Sequence, residues 1–191
     1  MRFSARWRAW AAHHRVHVGI VFALVYVAFS MPSPHTFWVG AAIVALGESI
    51  RVWACGHLVR NEELTREGPY RHVRHPLYVG SFLIGIGLAL LAEHQLLWLG
   101  AFATLYLGFY LPAIYVEELR LQSLFGAEYL EYMDEVPRFI PVPGRSHPWD
   151  PDEGSAGRFS RQKSRRNREM RTVAVMALLL LVQYLKGLIA L

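Results

Sequence analysis

Between Gly68 and Gly80 the chain reads Gly-Pro-Tyr-Arg-His-Val-Arg-His-Pro-Leu-Tyr-Val-Gly, with two arginines, two histidines and two tyrosines lying between apolar runs. Charge beside hydrocarbon is costly unless it faces a cavity, lipid headgroups or a ligand. A polar ligand at a membrane surface is the simplest reason to keep such a cluster. Gly68-Pro69 is a turn pair, and Pro76 disfavours helical geometry at His75 while suiting the first turn of a following helix, so the cluster caps a helix entrance. Two other groups carry charge next to apolar sequence: the paired carboxylates Glu117 and Glu118, and Glu48 with Arg51. Glu48 and Arg51 stand at i and i+3, neighbours on a helix surface, and are expected to pair with each other. The spacing His72/His75, or His14/His17, is also that of metal ligands on a helix, but no third ligand motif accompanies either pair, and no metal site is expected.

The elements that position these residues are membrane spans. The 191 residues are 53% hydrophobic and carry a formal net charge of +5, and the mean hydropathy is +0.22. The apolar residues come in blocks, Val16–Met31, Thr36–Leu58, Leu77–Ala92, Leu96–Val116 and Thr172–Leu191. The longer ones approach the ~20 residues that cross roughly 30 Å of hydrocarbon. An Arg-rich start before an apolar run also resembles a secretory signal, but Met31-Pro32-Ser33-Pro34 offers no small-x-small cleavage pattern, so all five spans are expected to remain. The single cysteine, Cys55, lies inside a span and excludes an intramolecular disulfide.

Charge alternates with the spans. Arg2, Arg6, Arg8 and Arg15 precede the first, Arg60, Arg66, Arg71 and Arg74 lie between the second and third, and ten basic residues from Arg120 to Arg171 follow the fourth. The intervening turns at 32–35 and 93–95 contain no Lys or Arg. The positive-inside rule therefore places the N-terminus and the loop of the His/Arg/Tyr cluster in the cytoplasm. Within the spans, Gly100, Thr104 and Gly108 recur every four residues, as do Ser81 and Gly85, a pattern that permits close helix approach. Pro112 is expected to bend the fourth helix.

After the fourth span, Glu117–Met133 reads as an amphipathic helix with Leu121, Leu124 and Phe125 on its apolar face and a break at Gly126. Four prolines from Pro137 to Pro148 forbid a long helix beyond it, and Pro148–Ser160 is a polar linker. The basic run Arg158–Arg171 then leads into the last span, where it suits topology and anionic lipid rather than nucleic acid. The expected class is all-α, a polytopic membrane helical bundle of about five transmembrane helices with a cytoplasmic amphipathic helix. It divides into a membrane core at 1–147, a cytoplasmic linker at 148–171 and a C-terminal transmembrane helix at 172–191.

In order and spacing, Arg51-Val52-Trp53-Ala54, Leu64, Gly68-Pro69-Tyr70, Arg74-His75-Pro76-x-Tyr78-x-Gly80, Glu117-Glu118-x-x-Leu121-x-x-x-Phe125-Gly126-x-x-Tyr129-x-x-Tyr132 and Val136-Pro137-Arg138-Phe139-Ile140-Pro141 resemble the isoprenylcysteine carboxyl methyltransferases and the related phospholipid methyltransferases. The resemblance covers roughly residues 40 to 142. It implies an integral membrane enzyme that binds S-adenosylmethionine at the cytoplasmic ends of its helices and methylates a lipophilic or small apolar acceptor. By motif position, Leu64, Gly68, Pro69, Tyr70, Arg74, His75, Pro76 and Tyr78 would form the cofactor pocket, with Glu117 and Glu118 as its acidic wall and Arg74 and Glu117 as the catalytic pair. Membrane lipids are the implied partners, without nucleic acid. Aromatic faces suit a sulfonium, and a guanidinium suits an acceptor carboxylate. Membrane sterol reductases resemble the same arrangement in their C-terminal part, so an NADPH-dependent reductase is the alternative, and a noncatalytic lipid-binding membrane protein is a third reading.

Overall fold

The computed structural model describes residues 4–59, 63–148, 159–160 and 169–189. Among them the chain is helical: α1 Ala5–Phe29, α2 Phe37–His57, α3 Pro76–Leu91, α4 Gln95–Leu105, α5 Leu111–Phe125, α6 Ala127–Glu135 and α7 Glu169–Ile189. A π-turn at Tyr106–Tyr110 joins α4 and α5 into one helix of 31 residues. Among the described residues four helices are long and apolar enough to cross a membrane: α1, α2, α4–α5 and α7. The third expected span is the apolar helix α3, which has 16 residues and at 1.5 Å per residue reaches about 24 Å. That is short of a full crossing by itself. The polar linker and the basic run fall mostly at 149–158 and 161–168, outside the described residues.

The chain forms two compact units, one of Met1–Leu46, Phe82–Glu118 and Ala174–Leu191, the other of Gly47–Ser81 and Leu119–Val173. In the first, Tyr26, Val44, Ile84, Leu88, Ala89, Ala92, Trp98 and Leu179 make the core. The backbones of α2 and α3 approach most closely where Gly40 faces Gly87: a Cβ on Gly40 would stand 2.5 Å from Gly87 O. Only glycine allows that contact. The Gly100 and Gly108 positions, by contrast, have nothing within 4 Å of a built Cβ, so no described neighbour requires glycine there. Loop backbone is satisfied locally, with Ser33 N–H donating to Leu91 O at 2.9 Å and Glu93 N–H to Met31 O at 2.7 Å.

Pro112 accounts for the irregular stretch before it. Proline has no N–H, so the carbonyl four residues back, Gly108 O, loses its helical donor. Leu111 N–H instead bonds Tyr106 O five residues back, the signature of a π-turn. Trp7 of α1 supplies the missing donor, its indole N–H reaching Gly108 O at 3.2 Å, while its ring packs against Trp10 and Phe109. Trp7→Phe keeps a ring and removes the donor. It is expected to lower stability by about 0.5–1 kcal/mol, measured as a drop in the unfolding midpoint of detergent-purified protein.

Candidate functional site

The second unit holds the His/Arg/Tyr cluster. Gly68 has φ +60, a left-handed conformation that favours glycine, and a Cβ there would stand 2.7 Å from the His57 ring. His57 is itself fixed by a 2.9 Å hydrogen bond between Nδ1 and Trp53 O. Pro69 then opens a single 3-10 turn, Gly68–Arg71, in which Pro69 and Tyr70 are buried. Pro76 starts α3, as its lack of an N–H suits. At Gly80, a Cβ would stand 2.5 Å from Arg51 Cγ and 2.7 Å from Gly47 O, so the first turn of α3 is seated on the C-terminal half of α2.

The turn is held to the segment after α6 by backbone and side chain together. Arg74 N–H donates to Pro137 O at 2.9 Å and His75 N–H to Arg138 O at 3.3 Å. The Arg74 guanidinium donates from Nη1 to Met133 O at 2.6 Å and Val136 O at 3.1 Å, carbonyls that the end of α6 leaves without helical donors. Tyr132 donates its hydroxyl to Tyr70 O at 2.6 Å. Burial, reinforced by neighbouring Tyr129 and opposed by Arg74 and Arg66, holds the Tyr132 hydroxyl well above the usual phenol range, so it stays a donor. Arg71 and His147 exchange bonds, Nε to His147 O at 2.7 Å and His147 N–H to Arg71 O at 3.1 Å, and His147 Nδ1 lies 2.5 Å from Glu135 Oε2.

These contacts show what each expected site residue does in the fold. Leu64 packs with Leu121, Phe125 and Met133 around the buried Tyr129, Tyr132 and Val136; Leu124, expected on the same apolar face, is exposed. His75 is buried, with the Tyr78 ring edge-on at 5.7 Å and Phe139 at 6.1 Å. Tyr78 is half-buried. Glu117 and Glu118 lie on α5 where the first unit ends; Glu118 is buried and Glu117 half-buried.

Arg51 does not pair with Glu48 as its spacing suggested. Its guanidinium takes Glu169, at the first position of α7, in a fork of 2.7 and 3.1 Å, and donates to Ser81 Oγ at 2.6 Å. Cys55 Sγ reaches the same Glu169 carboxylate at 3.3 Å. Neither oxygen of buried Glu48 has a hydrogen-bond partner among the described residues. Glu169 went unnoticed in the sequence because it sits in a basic run; the one signal was an arginine inside an apolar span needing a carboxylate. Phe159 and Ser160 also dock on this end of α2, Ser160 N–H donating to Gly56 O at 2.9 Å and the Phe159 ring lying 5.7 Å from His57.

Helices of this length and hydropathy, four of them able to cross a bilayer, define an integral membrane protein with a polar ring-and-cation loop. The chain belongs to the phospholipid methyltransferase family, whose sequence model matches residues 24–128. It is 33% identical over 115 residues to the protein-S-isoprenylcysteine O-methyltransferase of Tribolium castaneum, covering 54% of this chain and 41% of that protein. It is 32% identical over 102 residues to the Schizosaccharomyces pombe protein of the same name, covering 53% and 43%. With the cobalt-zinc-cadmium resistance protein CzcN of Cupriavidus metallidurans it shares 31% identity over 143 residues, 67% of this chain and 64% of that one. The chain spans about two-fifths of the length of the two methyltransferases. No solved structure matches it.

Proposed function

We propose that this chain is a membrane methyltransferase that moves a methyl group from S-adenosylmethionine to a lipophilic or small apolar acceptor reached from the bilayer, in the manner of the isoprenylcysteine carboxyl methyltransferases. The observation that most supports this is the rigid loop itself: Tyr70, His75 and Tyr78, with Phe139, are gathered in one unit by the Arg74 and Tyr132 hydrogen bonds. The residues present suit the donor. Ring faces attract an onium ion with about 0.5–2 kcal/mol, and two aromatic side chains, Tyr78 and Phe139, stand beside His75. Bound there, S-adenosylmethionine would supply an electrophilic methyl group on a sulfonium.

In this reading Tyr78 and Tyr70 face the donor, while Leu64, Gly68, Pro69, His75 and Pro76 shape the loop. Glu117 and Glu118 carry the carboxylates for the donor's amino or ribose groups, an assignment that rests on the motif. Arg74 is first a positioning residue, because its Nη1 is committed to two carbonyls. Methyl transfer is an in-line displacement: the acceptor's lone pair forms the new bond to carbon as the C–S pair leaves with sulfur. These residues therefore act by aligning the partners and excluding water rather than by bond-making.

Calorimetric titration of the detergent-purified chain with S-adenosylmethionine, S-adenosylhomocysteine and NADPH tests the proposal. The first two are expected to bind and NADPH is not. Tyr78→Ala should weaken the cationic donor about fivefold more than its neutral product, since only the sulfonium loses a cation–π contact. A folded chain that binds neither methyl donor nor product would sink the methyltransferase reading, and one that binds NADPH alone would make it a reductase.

A further inference from the structure

Glu169 stands outside residues 24–128, over which the family model matches, yet it is bound into the same unit as the motif turn. It is the first residue of α7 and is buried. Three donors from α2 meet its carboxylate: Arg51 Nε at 2.7 Å on Oε1, Arg51 Nη2 at 3.1 Å on Oε2, and the Cys55 thiol at 3.3 Å on Oε2. Cys55 follows Arg51 by four residues, so both donors stand on one face of α2. The start of α7, the end of a helix that favours an acid, is thereby fastened to α2.

The remaining nitrogen of the same guanidinium serves a different helix. Arg51 Nη1 donates to Ser81 Oγ at 2.6 Å, and Ser81 donates its own proton to Leu77 O at 2.9 Å. Leu77 and Ser81 belong to the opening turns of α3, on either side of Tyr78 in the chain. Arg51 Cγ also fills the space that a side chain at Gly80 would need, 2.5 Å from a built Cβ. The start of α3 is therefore seated on Arg51. Because the guanidinium is planar and rigid, engaging Nε and Nη2 on Glu169 leaves Nη1 directed at Ser81. Glu48, one turn before Arg51 on α2, is the carboxylate that competes for the same cation.

We propose that Glu169 is a positioning residue for the methyl donor: by holding Arg51 on Ser81 and away from Glu48, it sets the rotation of the first turn of α3 and with it the Tyr78 ring. This rests on the reading in which Tyr78 faces the sulfonium. Stability alone is no reason to keep the pair, since well-packed apolar residues in place of a buried ion pair are often as stable. What the pair adds is direction. A ring attracts an onium ion only when the cation stands over its face within about 6 Å, and misplacing a group by about 1 Å can cost 100-fold in a positioned site. A first turn of α3 released from Arg51 therefore still folds but presents Tyr78 wrongly.

The test titrates the full chain in detergent with S-adenosylmethionine and S-adenosylhomocysteine and records unfolding midpoints on the same preparations. In Glu169→Gln the donor is expected to lose about fivefold more affinity than the product, as in Tyr78→Ala. The two substitutions together should lower the donor-to-product preference no further than either alone, the mark of residues acting through one another. Arg51→Met with Glu169→Met should regain the midpoint without regaining the preference, whereas a merely structural contact would move midpoint and both affinities together. An unchanged preference in Glu169→Gln, losses that multiply with those of Tyr78→Ala, or a preference that returns with the midpoint in the double methionine variant overturns the proposal. Where Glu169→Gln fails to fold, Ser81→Ala decides by the same comparison with Tyr78→Ala, because it keeps the ion pair and removes its link to α3. An unmodified chain that binds neither ligand overturns the methyltransferase reading and this proposal with it; binding with an unmoved preference overturns this proposal alone.

Discussion

Arg51→Met is expected to destabilise the chain by about 3–5 kcal/mol, the cost of removing one partner of a buried ion pair. The substitution strips Glu169 of a two-pronged partner. Glu169→Gln should cost less, because the Arg51 guanidinium can turn towards Glu48 one helical turn away. The double variant Arg51→Met with Glu169→Met should recover most of the loss, since two apolar side chains pack where two charges were desolvated. Unfolding midpoints in detergent of Arg51→Met, Glu169→Met and the double variant, combined as a double-mutant cycle, give the coupling. Equal losses for Arg51→Met and Glu169→Gln would show that Glu48 has no part in the network.

Arg74→Ala is the second large effect, with an expected loss of about 2–4 kcal/mol from two carbonyls deprived of a charged donor. The cost falls on α6 and the 136–140 segment, which Arg74 ties to the motif turn. Arg74→Lys should recover part of it, a single ammonium reaching one carbonyl in place of the guanidinium's fork. Thermal unfolding and calorimetric titration with S-adenosylmethionine on the same preparations separate structure from ligand contact. For a positioning residue, donor affinity falls in step with stability. A lysine variant of unchanged midpoint that no longer binds the donor would instead make Arg74 a direct ligand.

Much of this was legible in the order of residues. The break at Gly126 falls where the backbone takes φ +55, and Pro76 begins a helix as its chemistry dictates. Pro112 announced an irregular helix, though not the π-turn or the indole of Trp7 that answers it. Other features were misread for a common reason. The Gly100–Gly108 stripe follows the same spacing rule as the Ser81–Gly85 pair, yet the positions a Cβ would fill include Gly85, Gly40, Gly80 and Gly87 and not Gly100 or Gly108, because spacing marks a smooth face without saying what lies against it. Arg74 carries the motif's charge, but the carbonyls it serves are 59 and 62 residues away.

The sequence by itself determined the all-helical class, the apolar helices and the rigid turn from Gly68 to Pro76, because hydropathy, helical periodicity and proline stereochemistry act between neighbours along the chain. Tertiary structure alone decided that Arg51 belongs to Glu169, 118 residues on, rather than to Glu48 three residues before it. It also decided that Gln183 would spend its amide N–H on Ser30, 153 residues before it. A buried charge or amide takes the partner that packing brings within about 3 Å, and which helices pack together is a property of the whole fold.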